Sequence, residues 1–162
     1  MNIIRNFLAI SALSFASLAG AVTGEELVRP IQDEWAEIKY KQPEKQQEAG
    51  YNKLAEQARK LVEANPGIAE LLIWEGIVLS SEAGAKGGLG ALSLAKAAKT
   101  KLDEALKLND KALAGSAHTS IATLYAKVPG WPVAFGSDEK AEEHFKKSLA
   151  INPNGIDPNF FY

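Results

Sequence analysis

An all-α fold, a superhelix of stacked helical hairpins, is what this chain predicts, and three observations predict it. Apolar residues recur at helical spacing in six successive segments. No segment alternates apolar and polar residues as a half-buried strand would. Turn signals also recur at a long, nearly constant interval. Asp110 stands 43 residues before Pro153 and 44 after Pro66, which marks a repeated helix–turn–helix unit. The clearest unit holds a helix over 111–128, an apolar loop Pro129-Gly130-Trp131-Pro132-Val133-Ala134-Phe135-Gly136, a charged helix over 137–151 and the stop Asn152-Pro153-Asn154.

The first 21 residues read as an export signal. Met1 to Asn6 carries one positive charge at Arg5, residues 7–18 are apolar with a few serines, and Ala19-Gly20-Ala21 offers small residues for cleavage after Ala21. A membrane anchor is the alternative, but spanning a bilayer takes about 20 apolar residues. The expected destination is therefore the periplasm, with no stable membrane insertion once the signal is removed. Residues 22–162 suffice for one domain with a core. Residues 22–65 read as an N-terminal helix pair, and residues 66–162 as two hairpins with an aromatic tail.

The whole chain has 18 Lys+Arg against 20 Asp+Glu, and only Arg5 leaves with the signal. This near balance speaks against nucleic acid as a partner, which would favour a basic face. The absence of cysteine removes disulfides, thiol catalysis and thiolate metal sites together. The fold must then be held by packing alone.

The helices follow in order. Thr23-Gly24-Glu25-Glu26 has the pattern of a capping box, and Leu27, Val28, Ile31, Trp35 and Ile38 keep helical spacing after it. Pro30 is expected to open the main helix, leaving residues 24–29 as a short leading turn. Pro43 suits the first position of a second helix, where Tyr51, Leu54, Ala55, Ala58, Leu61 and Val62 form one stripe. Asn65 is expected to cap a third helix over about 66–83 that is apolar nearly all round, which makes it the centre of the core. Gly76 in its middle costs about 1 kcal/mol relative to alanine, so another segment should approach closely there. Gly84 to Gly90 is expected to be a loop; it lacks the ending of a phosphate-binding loop, and no strand precedes it. Leu92, Ala95, Ala98, Leu102, Ala105 and Leu106 mark a fourth helix. Leu113, Ala117, Ile121, Leu124 and Val128 mark a fifth. Ser137 caps a sixth, with Ala141, Phe145 and Leu149 inward.

On these residues the hairpins resemble tetratricopeptide repeats. Leu72, Gly76 and Leu79 match the first-helix positions of one repeat, and Ala98, Leu102, Ala105 and Asp110 its second helix. His118, Ala122 and Tyr125 pair with Ala141, Phe145, Ser148 and Pro153 in the next. Gly76 to Ala105 spans 29 residues and Ala122 to Ser148 spans 26, against roughly 19 in the regular 34-residue repeat. The repeats are thus degenerate, with the excess assigned to the interhelix loops. Lys86-Gly87-Gly88-Leu89-Gly90-Ala91-Leu92, Val128-Pro129-Gly130-Trp131-Pro132, Phe135-Gly136 and residues 150–162 also resemble the exported T-component family associated with TRAP transporters. That resemblance implies a periplasmic helical protein that works by binding, beside a solute-binding protein, with a hydrophobic ligand and an oligomeric pore. The chain departs from the family in lacking a lipid-attachment cysteine and in stopping at its aromatic tail.

No constellation of a catalytic site is legible. His118 and His144 are the only histidines, and residues flanking His118 by two point to other sides of its helix. His144 reads as a solvated boundary position, and two histidines without a carboxylate cluster make a poor zinc site. The chain is expected to be no enzyme and to need no cofactor or metal. Trp74, Tyr125, Trp131 and Phe135 are the expected partner- or ligand-binding residues. Trp131 either plugs the space between helices or anchors a partner, and Phe160, Phe161 and Tyr162 pose the same choice. The expected function is a non-catalytic periplasmic scaffold that binds another protein on a concave surface, with oligomerisation left open. The alternative is a T-component-like accessory subunit of solute uptake that carries an apolar small ligand.

Overall fold

The computed structural model describes residues 22–162, so the export signal lies outside the described residues. Within them every regular element is helical: α1 (Gly24–Lys41), α2 (Glu44–Ala64), α3 (Ala69–Lys86), α4 (Gly88–Leu108), a 3-10 turn (Ala112–Gly115), α5 (Ser116–Lys127), α6 (Asp138–Ile151) and α7 (Ile156–Phe161). The all-α class holds. Consecutive helices pack as antiparallel neighbours, and α1 also touches α3, α3 touches α5, and α5 touches α7. The odd-numbered helices therefore form one continuous layer, while the even-numbered ones scarcely meet each other. This two-layer order is that of stacked hairpins. Among the described residues no helix is long and apolar enough to cross a membrane.

The expected break at Pro30 is absent, because α1 runs through it from Gly24. The capping box fixes the start: Glu26 N–H donates to Thr23 Oγ1 (3.2 Å) and Thr23 N–H to Glu26 Oε2 (2.8 Å). A proline past the first turn costs about 3 kcal/mol. Val28, Ile31 and Ile38, all buried on one face, each contribute about 1.5–3 kcal/mol, which together outweighs that cost. Asn65 also departs from expectation. It closes α2, its side-chain amide donating to the Leu61 carbonyl (3.0 Å), while Gly67 turns the chain at φ +82° and α3 starts only at Ala69.

α3 is the central helix, packed against α1, α2, α4 and α5. It contributes Leu72 and Ile73 to a core shared with α4–α6, and Val78 to a second core shared with α1 and α2. A Cβ on Gly76 would lie 2.7 Å from Leu102 Cγ and 3.2 Å from the Ala98 carbonyl oxygen. The close approach read from that glycine is thus α4 itself. The expected loop over Gly84–Gly90 is a single junction instead. Only Gly87 (φ +65°) and Gly88 (φ +59°) take left-handed backbone, and helix continues up to and away from them. The excess length of the first hairpin therefore lies in longer helices rather than in a loop.

The fifth helix begins later than its apolar period suggests. Leu113 (φ 47°), Ala114 (φ 54°) and Gly115 (φ 80°) are all left-handed in the 3-10 turn, and α5 starts at Ser116. Asn109 Oδ1, accepting from Lys111 N–H (3.0 Å), favours a turn over helix at that point. Ser137 caps α6 as expected, its hydroxyl accepting from Lys140 N–H. The inward residues of α6 are Ala141, Phe145 and Ser148, with Leu149 only half-buried. The aromatic tail forms a seventh helix, tied back by the Asn159 amide donating to the Pro153 and Gly155 carbonyls.

Candidate functional site

The loop from α5 to α6 is held by its own backbone. Gly136 N–H donates to the Pro129 carbonyl (2.9 Å), Val133 and Ala134 N–H to the Gly130 carbonyl (3.1 and 3.2 Å), and Ser137 N–H to the Tyr125 carbonyl (3.0 Å). Gly130 and Gly136 meet in an isolated bridge, and the Trp131–Pro132 peptide is cis. A Cβ at Gly136 would overlap the Val128 carbonyl oxygen and the Pro129 backbone. No other residue fits this crossing.

Phe135 turns inward and sets its ring edge-on to Tyr125, with centroids 5.8 Å apart. Tyr125 is buried at 8% exposure, and the ammonium groups of Lys99 and Lys140 stand 5.3 and 5.5 Å from its ring centroid. Trp131 takes the other course and is 90% exposed, with Val133 at 57%. The plug reading of Trp131 is thereby corrected: Phe135 occupies the space over the hairpin, and Trp131 projects into solvent.

The four expected binding residues do not gather at one place. Tyr125 and Phe135 pack together beneath the loop that carries Trp131. Trp74 is half-buried in the other core, with its ring 6.0 Å from that of Trp35. Trp35 in turn donates its indole N–H to Ser81 Oγ (2.8 Å), so Trp74 belongs to the α1–α3 contact.

His144, expected at a solvated boundary, is half-buried instead, and the fold sets it against His118. His118 on α5 and His144 on α6 approach to 3.0 Å between their Nδ1 atoms. The hairpin register provides the signal, for each stands thirteen residues from Trp131, on opposite sides of the turn. Antiparallel helices that fold at that residue must oppose them. Burial lowers both pKa values, that of His144 to about 4, and the positive charge of Lys147 acts in the same direction on each. Both rings are neutral near pH 7. The ring of His144 also lies 5.9 Å from that of Tyr125. Thr119, next to His118, and Ser148, one helical turn beyond His144, share a 2.6 Å hydrogen bond between their hydroxyls.

Two carboxylates in the apolar run of α3 also escaped the sequence reading. Glu82 is buried and accepts from the Asn52 amide (3.0 Å). Glu75 is buried with its Oε2 3.1 Å from Lys101 Nζ, close enough for an ion pair but without well-aligned hydrogen-bond geometry. Burial raises the Glu75 pKa, and Lys101 opposes it. Their seven-residue spacing on one helical face was the available signal. Glu75 and Glu82 line a cleft of about 190 Å3 between α2 and α4, with Arg59 and Asn52 on one wall and Leu94 on the other.

Trp131 is thus the most exposed large apolar side chain among the described residues, ahead of Ile156, Leu89 and Phe160, and it can offer apolar contact and an indole N–H to a second molecule. No protein-family model matches the chain, and no curated protein matches it.

Proposed function

We propose that this chain is a non-catalytic, tetratricopeptide-like scaffold, exported to the periplasm, that docks another protein through the loop at Trp131. The observation that carries the reading is the 90% exposure of Trp131 on a loop whose backbone is tied at Pro129, Gly130 and Tyr125. An indole left in water gives up the stabilisation that burial of so large an apolar surface supplies. A fixed loop, by contrast, loses little conformational freedom when a partner covers it. Tryptophan in such a setting is the residue type that most often dominates a protein interface.

The reading departs from the expected concave surface, since Trp74 and Tyr125 are committed to packing. A solute-binding protein remains the partner that the T-component resemblance suggests. The apolar-ligand alternative asks for a mostly apolar cavity. The larger cleft, of about 530 Å3, is bordered mainly by charged and amide side chains, and the smaller, of about 190 Å3, holds the buried Glu75 and Glu82 carboxyls beside its apolar lining, which favours protein docking over it.

A photo-crosslinking amino acid at position 131, used in intact cells, tests the proposal. One dominant protein adduct is expected there and not at Leu89, which is also exposed but sits at the α3–α4 junction. Trp131→Ala should then weaken binding of the purified adduct partner by roughly 30-fold or more, the scale of an interface hot spot. Equal, diffuse crosslinking from both positions refutes the proposal.

A further inference from the structure

His118 and His144 meet at 3.0 Å through like atoms. A hydrogen bond between two imidazoles needs a proton on one nitrogen and a lone pair on the other. With both rings neutral, one ring donates from Nδ1–H, and its partner, protonated at Nε2, accepts at Nδ1. A first added proton enters at Nε2 of the donor ring and leaves the shared bond in place. A second can go only to the accepting Nδ1. It sets two N–H groups and two positive charges head to head at 3.0 Å.

The surroundings do little to relieve that repulsion. Lys147 of α6 bears on both rings and Lys99 of α4 on His144, while Glu143 of α6 and Asp110 ahead of the 3-10 turn oppose them. Glu143 is already paired with Lys147 and Lys99 with Asp103. α3 and α7 also pack on α5, and neither supplies a charge that bears on the pair.

The pair is mechanically connected to the loop. His144 adjoins Tyr125, Tyr125 adjoins Phe135, and the Tyr125 carbonyl accepts from Ser137 N–H at the end of the loop. We propose that the two histidines are a proton-operated latch on the α5–α6 hairpin. It stays closed with up to one added proton, and the second opens it and releases the Tyr125–Phe135 contact and the fixed pose of Trp131. The latch deepens the docking reading, but its test uses the chain alone, so either can fail without the other.

The chain has three tryptophans, and 5-fluorotryptophan labelling reports each as a 19F resonance, assigned by single Trp→Phe changes. As the pH falls from about 7.5 to about 3, through and past the value of about 4 to which His144 is lowered, the Trp131 resonance is expected to shift and broaden while Trp35 and Trp74 hold. His144→Asn puts a non-titrating amide in place of the ring, and the Trp131 step should disappear. If that variant does not fold, His118→Asn asks the same question from the other ring. Histidine 15N shifts of the wild-type chain must show the second protonation coincident with the step, which decides the matter whichever variant folds. The latch is overturned by no Trp131 step, by a step that persists in a folded variant, by a step displaced from the second protonation, or by all three resonances moving together. A step abolished by a chelator also overturns it, since a metal between the rings is then the operative group.

Discussion

Ser148 and Thr119 share a hydroxyl–hydroxyl hydrogen bond of 2.6 Å, and with Thr119 donating to Ser148 Oγ the Ser148 proton is free for the Gly115 carbonyl oxygen 3.4 Å away. Ser148 is fully buried and Thr119 nearly so, so this polar contact fastens the base of the α5–α6 hairpin inside an otherwise apolar layer. Ser148→Ala strands the Thr119 hydroxyl and is expected to destabilise by about 1–3 kcal/mol. Thr119→Val leaves Ser148 the Gly115 carbonyl and should cost less. The double variant should cost less than the two singles together, because no buried hydroxyl is then left alone. Urea unfolding of the four proteins measures each term.

Two glycine-to-alanine changes should have opposite signs. At Gly136 the added methyl meets the Val128 carbonyl and the Pro129 backbone, neither of which can step aside. Gly136→Ala must remodel the loop and is expected to destabilise by about 2–4 kcal/mol, the range of strained or overpacked sites. At Gly84, within α3, the methyl meets nothing within 4 Å. Gly84→Ala should stabilise by about 0.5–1 kcal/mol through helix propensity alone. Thermal unfolding of the two variants side by side tests the pair.

That contrast also marks how far the sequence could be read. Apolar periodicity placed six helices, named α3 as the central one and led from Gly76 to the close α3–α4 crossing. Local composition could not tell which of Gly84, Gly87, Gly88 and Gly90 would use left-handed backbone, so a one-point junction read as a loop. Nor does periodicity register Leu113 and Ala114, whose positive φ is imposed by the turn around them. Pro30 misled because its local penalty is smaller than the burial on either side of it. The site was legible as a list of aromatic residues and not as an arrangement. Whether Trp131 or Phe135 turns inward depends on the space above Tyr125, and the histidine pair exists only across two helices.

Trp131 and Phe135 are expected to separate function from stability. Trp131→Ala removes a side chain that is 90% exposed and should change unfolding free energy by no more than about 0.5 kcal/mol. Phe135→Ala removes a half-buried ring packed on Tyr125 and should cost about 2–3 kcal/mol, below the roughly 3–5 kcal/mol of a fully buried ring. Chemical denaturation distinguishes them. A Trp131→Ala variant that loses as much stability as Phe135→Ala would mean that the indole packs on the fold.

Stability should fall in acid in a way that depends on His144. Its pKa is lowered on folding from the ordinary 6.5 to about 4, chiefly by burial, and that of His118 is lowered as well. A depressed folded pKa means that the unfolded chain binds the proton first, so the contribution is intact above about pH 6.5 and is lost as the pH falls toward 4. Glu75 works in the opposite sense. Burial raises its pKa, so its neutral form favours the fold, and that contribution is present at low pH and lost as the pH rises through its folded value. The two effects overlap in mild acid, and the wild-type profile should therefore decline less steeply than the histidines alone dictate. Melting temperatures from about pH 7.5 to about pH 4, where histidine protonation changes, should drop less in His144→Asn than in the wild type. In Glu75→Gln they should drop more steeply. Parallel curves for His144→Asn and wild type would mean that folding does not lower the His144 pKa.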